Sequence, residues 1–247
     1  MSGFFIDHDF VVSENRCEHL IESNPINRID TTIVMEQVPE KILNAAAKLF
    51  ADGGFERTVI SDIAKSARVA IPTIYHHFGN KRNLYNRTCV WVFSRKAQAH
   101  WRQLTQPYEG GDPQHLYNYL EALARDFMED KVYYGLMHRE LTYRSTQGLK
   151  ELSEQSFSYA FAELCKLCAR ISPGKESSTL GLSLHAMQFG LIDMLRFGVY
   201  VDPTFKSLQT PTEITRCTVS SLLPEVDWSK VKAVKRRKKT AAKQRKR

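Results

Sequence analysis

Residues 58–81, TVISDIAKSARVAIPTIYHHFGNK, carry a pattern that few folds accommodate: two short amphipathic helices separated by a three-residue turn. The hydroxyl of Thr58 is predicted to be the N-cap of the first helix, because it can accept a hydrogen bond from a first-turn backbone N–H. The sequence Arg68-Val69-Ala70 interrupts the helical pattern and predicts the turn. The apolar residues of the first helix recur at three- and four-residue spacing, which indicates one buried face: Ile60, Ile63, Ala64 and Ala67.

The second helix of the pair is predicted to begin near Pro72, because proline lacks an N–H that a first helical turn would leave unpaired. Ile74 and Phe78 lie four residues apart and form a narrow buried stripe, so the polar side chains between them face outward. Two short helices joined by such a turn form a helix-turn-helix, whose second helix enters the DNA major groove. The stretch therefore predicts DNA binding.

The rest of the chain is also helical in pattern, and no stretch has the alternation typical of a β-strand. A break rich in Pro and Gly at 107–113 indicates a domain boundary. The predicted fold class is all-α, with an N-terminal three-helix helix-turn-helix domain and a C-terminal helical domain. Further helices are predicted from Pro39 to Gly53-Gly54, and at 81–103, 115–130, 131–145, 148–171, 176–199 and 212–223.

Charge divides the chain into parts. Residues 36–105 carry eleven Lys or Arg against five Asp or Glu, whereas residues 106–229 carry eleven against sixteen. The last eighteen residues, 230–247, carry eleven Lys or Arg and no acidic residue. This distribution is typical of a DNA-binding head joined to a body that does not bind nucleic acid. Residues 1–35 have no sustained period and are expected to be a loosely ordered extension.

The basic tail, 230–247, has too few large apolar residues to order itself, so we expect it to be disordered. Two interpretations remain open. It is either a solubilising tail or a flexible polycation that adds contacts to DNA phosphates and so raises nonspecific affinity.

From Val38 to about Leu84 the chain resembles the DNA-binding domain of the TetR family of bacterial transcriptional regulators. The resemblance lies in ILNAAAKLFADGGFERTVISDIA at 42–64 and in VAIPTIYHHFGNK at 69–81. Three positions depart from the family pattern, in which Gly often stands at Arg68, Ser at Ala70 and a basic or polar residue at Ile71. A non-glycine residue in a left-handed turn costs only roughly 1 kcal/mol, so Arg68 is compatible with the motif.

The resemblance implies which residues contact DNA. Lys81 is expected to bind a phosphate, and the Tyr75 hydroxyl is expected to do the same. Ile71, Pro72 and Thr73 would face the base edges, where a thymine methyl suits Ile71 or the methyl of Thr73. Thr58 and His76 complete the set, and for His77 an intramolecular role is an equal alternative.

The resemblance also implies that the C-terminal domain encloses a small, chiefly apolar effector and forms a homodimer. The dimer would form through helices at about 176–199 and 212–223, and small residues on the first of these would let a partner helix approach closely. The effector site would combine apolar and polar side chains: Phe127, Met137, His138, Tyr159, His185 and Gln188.

Other function classes have little support. No apolar run reaches the eighteen residues of a membrane span. The five cysteines are an odd number, which fits a reducing cytoplasm. Cys165-x-x-Cys168 falls within a predicted helix without a second ligand pair, so we expect a core feature and no metal site. No catalytic motif or cofactor-binding loop is present, so we predict neither an enzyme nor a cofactor.

The sequence therefore predicts a cytoplasmic, ligand-responsive transcriptional regulator, most often a repressor in this family, which binds a palindromic operator as a homodimer. The alternative is a DNA-binding protein without an effector, which relies on its basic tail and has little sequence preference. An enzyme with a borrowed helical head is a third class, but no catalytic residues support it.

Overall fold

The structure, a computed structural model, describes residues 37–106, 108–143, 158–196 and 207–233. All the regular elements in these ranges are helical, which confirms the all-α class. The helices are α1 (Gln37–Arg57), α2 (Ile60–Ala67), α3 (Ile71–Phe78), α4 (Lys81–Thr105), α5 (Asp112–Glu129), α6 (Lys131–Tyr143), α7 (Ser158–Ile171), α8 (Ser177–Arg196) and α9 (Pro211–Leu222), followed by a 3₁₀ turn at Trp228–Lys230.

The described chain divides into two compact units. The first contains the residues up to Gln106 and those from Asp130 to Lys166, and the second contains the remainder. Helices α1–α4 and α6 therefore belong to the first unit, and α5, α8 and α9 to the second. The functional division of the chain into 36–105 and 106–229 stays a prediction, but α6 belongs with the helix-turn-helix in this division into compact units.

Helix α1 buries one apolar face and begins with Glu40 in its first turn, where the helix dipole favours a carboxylate. The predicted stop at Gly53-Gly54 is wrong in one respect. Gly54 leaves the helical conformation, with φ 74° and ψ 175°, but helical residues resume and continue to Arg57. Gly54 therefore bends the end of the helix, and only glycine adopts this φ without strain.

The helix-turn-helix has the predicted form. The predicted apolar face of α2 is buried, and so are Ile74 and Phe78 of α3. Pro72 lies in the first turn of α3 as expected. Arg68 adopts the left-handed conformation at the end of α2, with φ 57° and ψ 47°, and its N–H closes the turn. A residue with a Cβ is therefore strained here, as the sequence analysis expected.

Helix α6 packs against α1 and α4 within the first unit. A Cβ on Gly135 would lie 3.1 Å from the carbonyl oxygen of Ala51, so the two backbones approach closely. Arg139 donates hydrogen bonds to the carbonyl oxygens of Ala51 at 3.4 Å and Asp52 at 3.2 Å. The end of α1 is therefore capped by a side chain of α6, because these late carbonyls have few partners within their own helix.

Helix α6 also contacts α4 through buried polar and aromatic groups. The Tyr85 hydroxyl donates a 2.5 Å hydrogen bond to Glu140, and both side chains are buried. Burial raises the pKa of the Tyr85 phenol above its usual range, so it remains a neutral donor. Phe93 and Tyr133 pack edge to face at 6.0 Å between the same two helices. These contacts fix the register of α4 against α6.

In the second unit, α5, α8 and α9 pack on one another. Gln188 of α8 is fully buried, and its amide donates to the carbonyl oxygen of Leu120 at 2.8 Å and to Thr215 at 3.3 Å. Helix α9 begins with a capping box, in which Thr210 and Glu213 satisfy each other's backbone N–H groups. The Gln188 side chain of α8 thus joins α5 and α9.

The prediction that the chain is disordered from residue 230 is wrong for residues 230–232, which are packed together with Trp228. Trp228 and Val231 are buried, and the Trp228 indole N–H donates to the carbonyl oxygen of Leu223 at 2.8 Å. Gln114 and Lys232 exchange two hydrogen bonds of 2.8 Å through the Gln114 side chain and the Lys232 backbone. The packed chain therefore continues past residue 230, and residues 234–247 lie outside the described residues, as do 1–36.

The left-handed conformation of Arg68 predicts a reversal of the usual helix preference. A Cβ destabilises this conformation by about 1–2 kcal/mol, and glycine avoids that strain. Glycine is itself less favourable by about 0.5–1 kcal/mol, because its unfolded chain has more conformational freedom to lose on folding. We expect Arg68→Gly to be about 1 kcal/mol more stable than Arg68→Ala in urea unfolding. Both changes remove the same charge, so charge does not enter the comparison.

The matched control is Ser66, an exposed residue inside α2. There Ser66→Ala should be more stable than Ser66→Gly by about 1 kcal/mol, as in an ordinary helix. The same order at both positions would contradict the left-handed assignment.

Candidate nucleic-acid interface

The exposed side of α3 carries most of the predicted DNA contacts. Ile71 is 42% exposed and Tyr75 46%, and the two lie four residues apart on one face. Pro72 and His76 are also exposed with the same spacing, whereas Thr73 is half-buried. Ile74 and Phe78 are buried, so the core residues of α3 are distinct from this outward row of exposed residues. Contact of this row with DNA stays a prediction.

Exposed apolar groups concentrate in this region. Within the described residues, six large hydrophobic side chains are at least 36% exposed, and three of them belong to residues 58–81: Val59, Ile71 and Tyr75. Exposed apolar groups on a small motif indicate an interaction surface. Sequence reasoning missed Val59, which is 48% exposed and precedes α2. The signal that could have identified Val59 is its position directly before Ile60, the first buried residue of that helix.

Contrary to the prediction from the sequence, Thr58 is not the N-cap of α2. The N-cap of α2 is Val59, which makes no side-chain cap bond. Thr58 is buried, and its hydroxyl lies 2.7 Å from the carbonyl oxygen of Gly54 and 3.1 Å from that of Leu49. The hydroxyl donates to these two carbonyls of α1, one of which belongs to the residue where the helix bends. Its side chain therefore links the start of α2 to α1, and its contact with DNA stays a prediction.

Lys81 lies at the start of α4 and is already engaged by α1. Its ammonium donates to the carbonyl oxygen of Glu56 at 3.2 Å and lies 4.5 Å from the centre of the Phe55 ring. The Arg82 guanidinium lies 4.6 Å from the same ring. A cation is unfavourable at a helix N-terminus, so these contacts offset the dipole of α4. Two cations are thus held next to the recognition helix α3.

The adjacent histidines behave differently. His76 is exposed, whereas His77 is half-buried, and their rings meet edge to face at 5.3 Å. The His77 carbonyl oxygen accepts a 3.2 Å hydrogen bond from Arg87 of α4, whose guanidinium also lies 5.5 Å from the Phe78 ring. Arg87 therefore ties the end of α3 to α4, a contact that the sequence analysis did not predict because it joins residues ten positions apart on different helices.

The predicted effector residues do not fall in one unit. Met137 and His138 belong to α6 in the first unit, and Phe127, His185 and Gln188 belong to the second. The side chain of Tyr159 lies outside those that the structure describes. The separation arises because α6 packs on α1 and α4, which its own helical periodicity does not reveal.

In the second unit, the predicted residues extend an aromatic cluster between α5 and α8. Phe127 packs on Phe189 at 4.5 Å, and His185 lies 2.8 Å from the Tyr119 hydroxyl through its Nε2 atom. Burial raises the pKa of the Tyr119 phenol, which stays neutral. The Oε1 atom of Gln188 is buried and has no hydrogen-bond partner among the described residues. An unsatisfied buried acceptor is unfavourable, and a donor on a ligand would satisfy it.

The described residues contain neither a candidate metal site nor a candidate membrane-spanning helix. No group of three or more His, Cys, Asp or Glu there is placed to hold a metal ion. Four cysteines in these ranges are free thiols: Cys89, Cys165, Cys168 and Cys217. None of the helices searched in the described ranges has both the length and the hydropathy to cross a membrane.

Comparison with known proteins finds a family match over the helix-turn-helix. Residues 42–88 match the family described as bacterial regulatory proteins, tetR family. The match begins in α1, spans α2 and α3, and ends in α4 at the buried residue Thr88. It therefore covers the recognition surface and the helices that hold it.

Two curated relatives match the same region. The biofilm operon icaADBC HTH-type negative transcriptional regulator IcaR of Staphylococcus aureus (strain Newman) is 35% identical over 54 residues, which are 22% of this chain and 29% of IcaR. The HTH-type transcriptional repressor KstR2 of Mycolicibacterium smegmatis is 35% identical over 63 residues, 24% of this chain and 31% of KstR2. The chain thus matches less than a third of the length of either relative.

Solved structures extend the similarity over most of the chain. SmeT, the repressor of the Stenotrophomonas maltophilia multidrug efflux pump SmeDEF, has a TM-score of 0.55 and 22% identity, covering 76% of this chain and 89% of SmeT. A SmeT-Triclosan complex has a TM-score of 0.55 and 19% identity, covering 77% of this chain and 91% of that one. At this level of identity the similarity concerns the fold alone.

Proposed function

We infer that this chain, which belongs to the TetR family of bacterial regulatory proteins, is a DNA-binding transcriptional regulator that acts as a repressor. The main evidence is the outward row of α3, in which four residues are exposed: Ile71, Pro72, Tyr75 and His76. The cations of Lys81 and Arg82 on α4 lie next to this row in the chain. The names of IcaR and KstR2 support repression. Binding would take place in the cytoplasm, where a bacterial chromosome lies.

Recognition of DNA would combine base and phosphate contacts. Ile71 is exposed at the N-terminal end of α3, the end that reaches base edges in helix-turn-helix proteins, and its apolar side chain suits a thymine methyl. The Tyr75 hydroxyl and the Lys81 ammonium would bind phosphates. Lys81 has three donors and uses one for Glu56, so a phosphate can be bound without loss of that contact.

We also propose a homodimer formed through α8 and α9. On α8, Leu182 is 62% exposed, and Ala186 and Gly190 are exposed at successive four-residue steps. A Cβ built on Gly190 meets nothing within 4 Å, so this row is open to a partner helix. Gly181, by contrast, is buried. A two-fold dimer would place two α3 helices in successive major grooves roughly 34–36 Å apart, so the operator would be a palindrome.

The effector proposal rests on the second unit. The unpartnered Oε1 of Gln188 and the aromatic rings of Phe127 and Phe189 would accept an apolar molecule with one hydrogen-bond donor. Such a molecule would lower operator affinity if it bound more tightly to a form of the dimer in which the distance between the two α3 helices does not match successive major grooves. The SmeT-Triclosan complex supports triclosan, a phenol, as a first probe.

The alternative is an effector-independent protein that relies on its tail. Residues 234–247 carry nine Lys or Arg and no acidic residue. Each phosphate contact releases counterions, so a polycation of this kind binds any duplex with steep salt dependence. The packing of residues 228–232 makes 234–247, and not 230–247, the segment to delete in a test.

The main test is selection of bound sequences from random DNA by the full chain and by a chain without residues 234–247. We expect both proteins to select the same palindrome. The deletion should weaken binding to random duplexes and make the dependence of log K on log salt shallower, by up to about 8 units if all nine cations contact phosphates. If neither protein selected a palindrome, the result would favour the alternative.

The same selection tests the role of α3. Ile71→Ala should weaken binding to the selected palindrome by about fivefold to tenfold, because loss of a base contact costs on the order of 1 kcal/mol or more, and should leave random-duplex affinity unchanged. Val38→Ala is the matched control, since Val38 is 37% exposed on α1 outside the motif. Equal losses in the two variants would remove Ile71 from base recognition.

The dimer proposal predicts a change in mass. Sedimentation equilibrium at micromolar concentration should show a dimer for the wild type and monomers for Leu182→Arg and Ala186→Arg. Each substitution places two cations in a two-fold interface, because the same residue enters from both subunits. Ala169→Arg adds the same charge at an exposed position of α7 and should leave the dimer intact. A wild-type monomer would overturn the proposal.

The effector proposal predicts a response to a donor group. Triclosan at about ten times its Kd should raise Tm by about 3–5 °C and weaken operator binding, whereas its methyl ether, which lacks the O–H, should do neither at that concentration. Gln188→Leu should abolish the difference between the two compounds. The control Gln98→Leu, on α4 in the first unit, should preserve it. If the two compounds act alike on the wild type, Gln188 does not bind the effector.

A further inference from the structure

A groove lies in the first unit between α1, α4 and the beginning of α6, away from every residue assigned above to DNA or effector. Its volume is about 230 Å³. Alanine and valine side chains give it an apolar floor, an indole gives it a wall, and charged groups form its rim. The lining residues are Asn44, Ala47, Lys48, Trp91, Val92, Arg95, Lys96, Asp130 and Val132.

The wall of the groove is Trp91, a half-buried residue in the middle of α4. The Arg95 guanidinium lies 4.9 Å from the centre of its indole ring, so a planar cation is already held against it. The indole N–H of Trp91 makes no hydrogen bond with the described residues. A ligand in the groove thus meets an aromatic surface, a free N–H donor and a positioned guanidinium.

The three cations of the groove differ in their partners. Arg95 pairs with Glu40 at 3.3 Å, and the two side chains are 61% and 43% exposed. Lys96 pairs with Asp130 at 3.0 Å. Lys48 is exposed and has no ion pair within the described ranges. Exposed ion pairs contribute little to stability, so an anion can replace Glu40 as the partner of Arg95 at small cost.

We propose that this groove binds a small aromatic carboxylate. The ring would lie against Trp91 over the apolar floor, and the carboxylate would accept hydrogen bonds from the Arg95 guanidinium and the Lys48 ammonium. The volume admits one or two fused rings, and the lining carries three cations against one acidic group, so a neutral or cationic ligand fits less well.

The position of the groove separates it from the DNA surface. Trp91 follows Lys81 by ten residues on α4, which is about 15 Å along the helix axis, and Arg95 lies about 21 Å along it. The groove is therefore separated along α4 from the proposed phosphate contact at Lys81. The site is also independent of the proposed function, because it requires neither operator binding nor an effector in the second unit.

Isothermal titration of the full chain with 1-naphthoate tests the proposal, with 1-naphthamide as the uncharged compound of the same shape. We expect one site for naphthoate and at least tenfold weaker binding of the amide. Lys48→Gln should weaken naphthoate binding at least threefold, and Trp91→Leu at least tenfold. Lys48 is exposed, so Lys48→Gln keeps the fold, and an unchanged Tm would verify this for both variants.

Two further variants locate the ligand. Arg102→Gln removes an exposed cation of α4 outside the groove, and Gln188→Leu alters the second unit; both should bind naphthoate as the wild type does. Equal binding of the acid and the amide would overturn the proposal. So would equal losses in Lys48→Gln and Arg102→Gln, or loss of binding in Gln188→Leu, which would place the ligand in the second unit.

Discussion

The contact between α6 and the end of α1 fixes the rest of the first unit. Gly135 lets the two backbones approach, and Arg139 caps the carbonyls of Ala51 and Asp52 where α1 bends at Gly54. A Cβ on Gly54 would lie 2.9 Å from the Arg139 guanidinium, so glycine is needed there for space as well as for its positive φ. The bend then places the Gly54 carbonyl against the Thr58 hydroxyl, and α2 begins from that point. The placement of the recognition helix therefore depends on a helix that lies outside residues 42–88, the part of the chain that matches the family.

The recognition helix itself has little packing of its own. Helix α3 has eight residues and buries only Ile74 and Phe78, too few contacts for independent stability. Its position comes from both neighbours: the Arg68 turn holds its beginning, and Arg87 of α4 holds its end through the His77 carbonyl. Helix α4 is fixed in turn by the buried Tyr85–Glu140 hydrogen bond. A surface held in this way loses little conformational entropy on binding, which would allow a short row of side chains to discriminate among DNA sequences.

Local features of the sequence predicted the helices well and the long-range contacts poorly. The proline in the first turn of α3, the left-handed Arg68 and the apolar spacing of α2 each report on one turn of chain, and the structure has all three. Thr58 was assigned wrongly because a hydroxyl before a helix can cap that helix or bond back to the previous one, and the choice depends on the bend at Gly54. The unit to which α6 belongs, and the packing of Trp228, depend on partners distant in sequence: Ala51 lies 84 residues before Gly135. Periodicity contains no information on such pairs.

The two sources of positive charge differ in what they can contribute. The Lys81 ammonium is held by the Glu56 carbonyl and the Phe55 ring before any DNA arrives, so part of its roughly 2 kcal/mol of side-chain entropy is already lost. A phosphate contact at this position is therefore tied to the register of α3. The cations of 234–247 follow Lys232, whose backbone is bound by the side chain of Gln114, and each cation that contacted a phosphate would lose its own side-chain freedom. Any contribution from them would come from counterion release, which any duplex supplies equally. It follows that a cation near α3 can favour one sequence over another, whereas a DNA-binding tail would change the affinity for all sequences together.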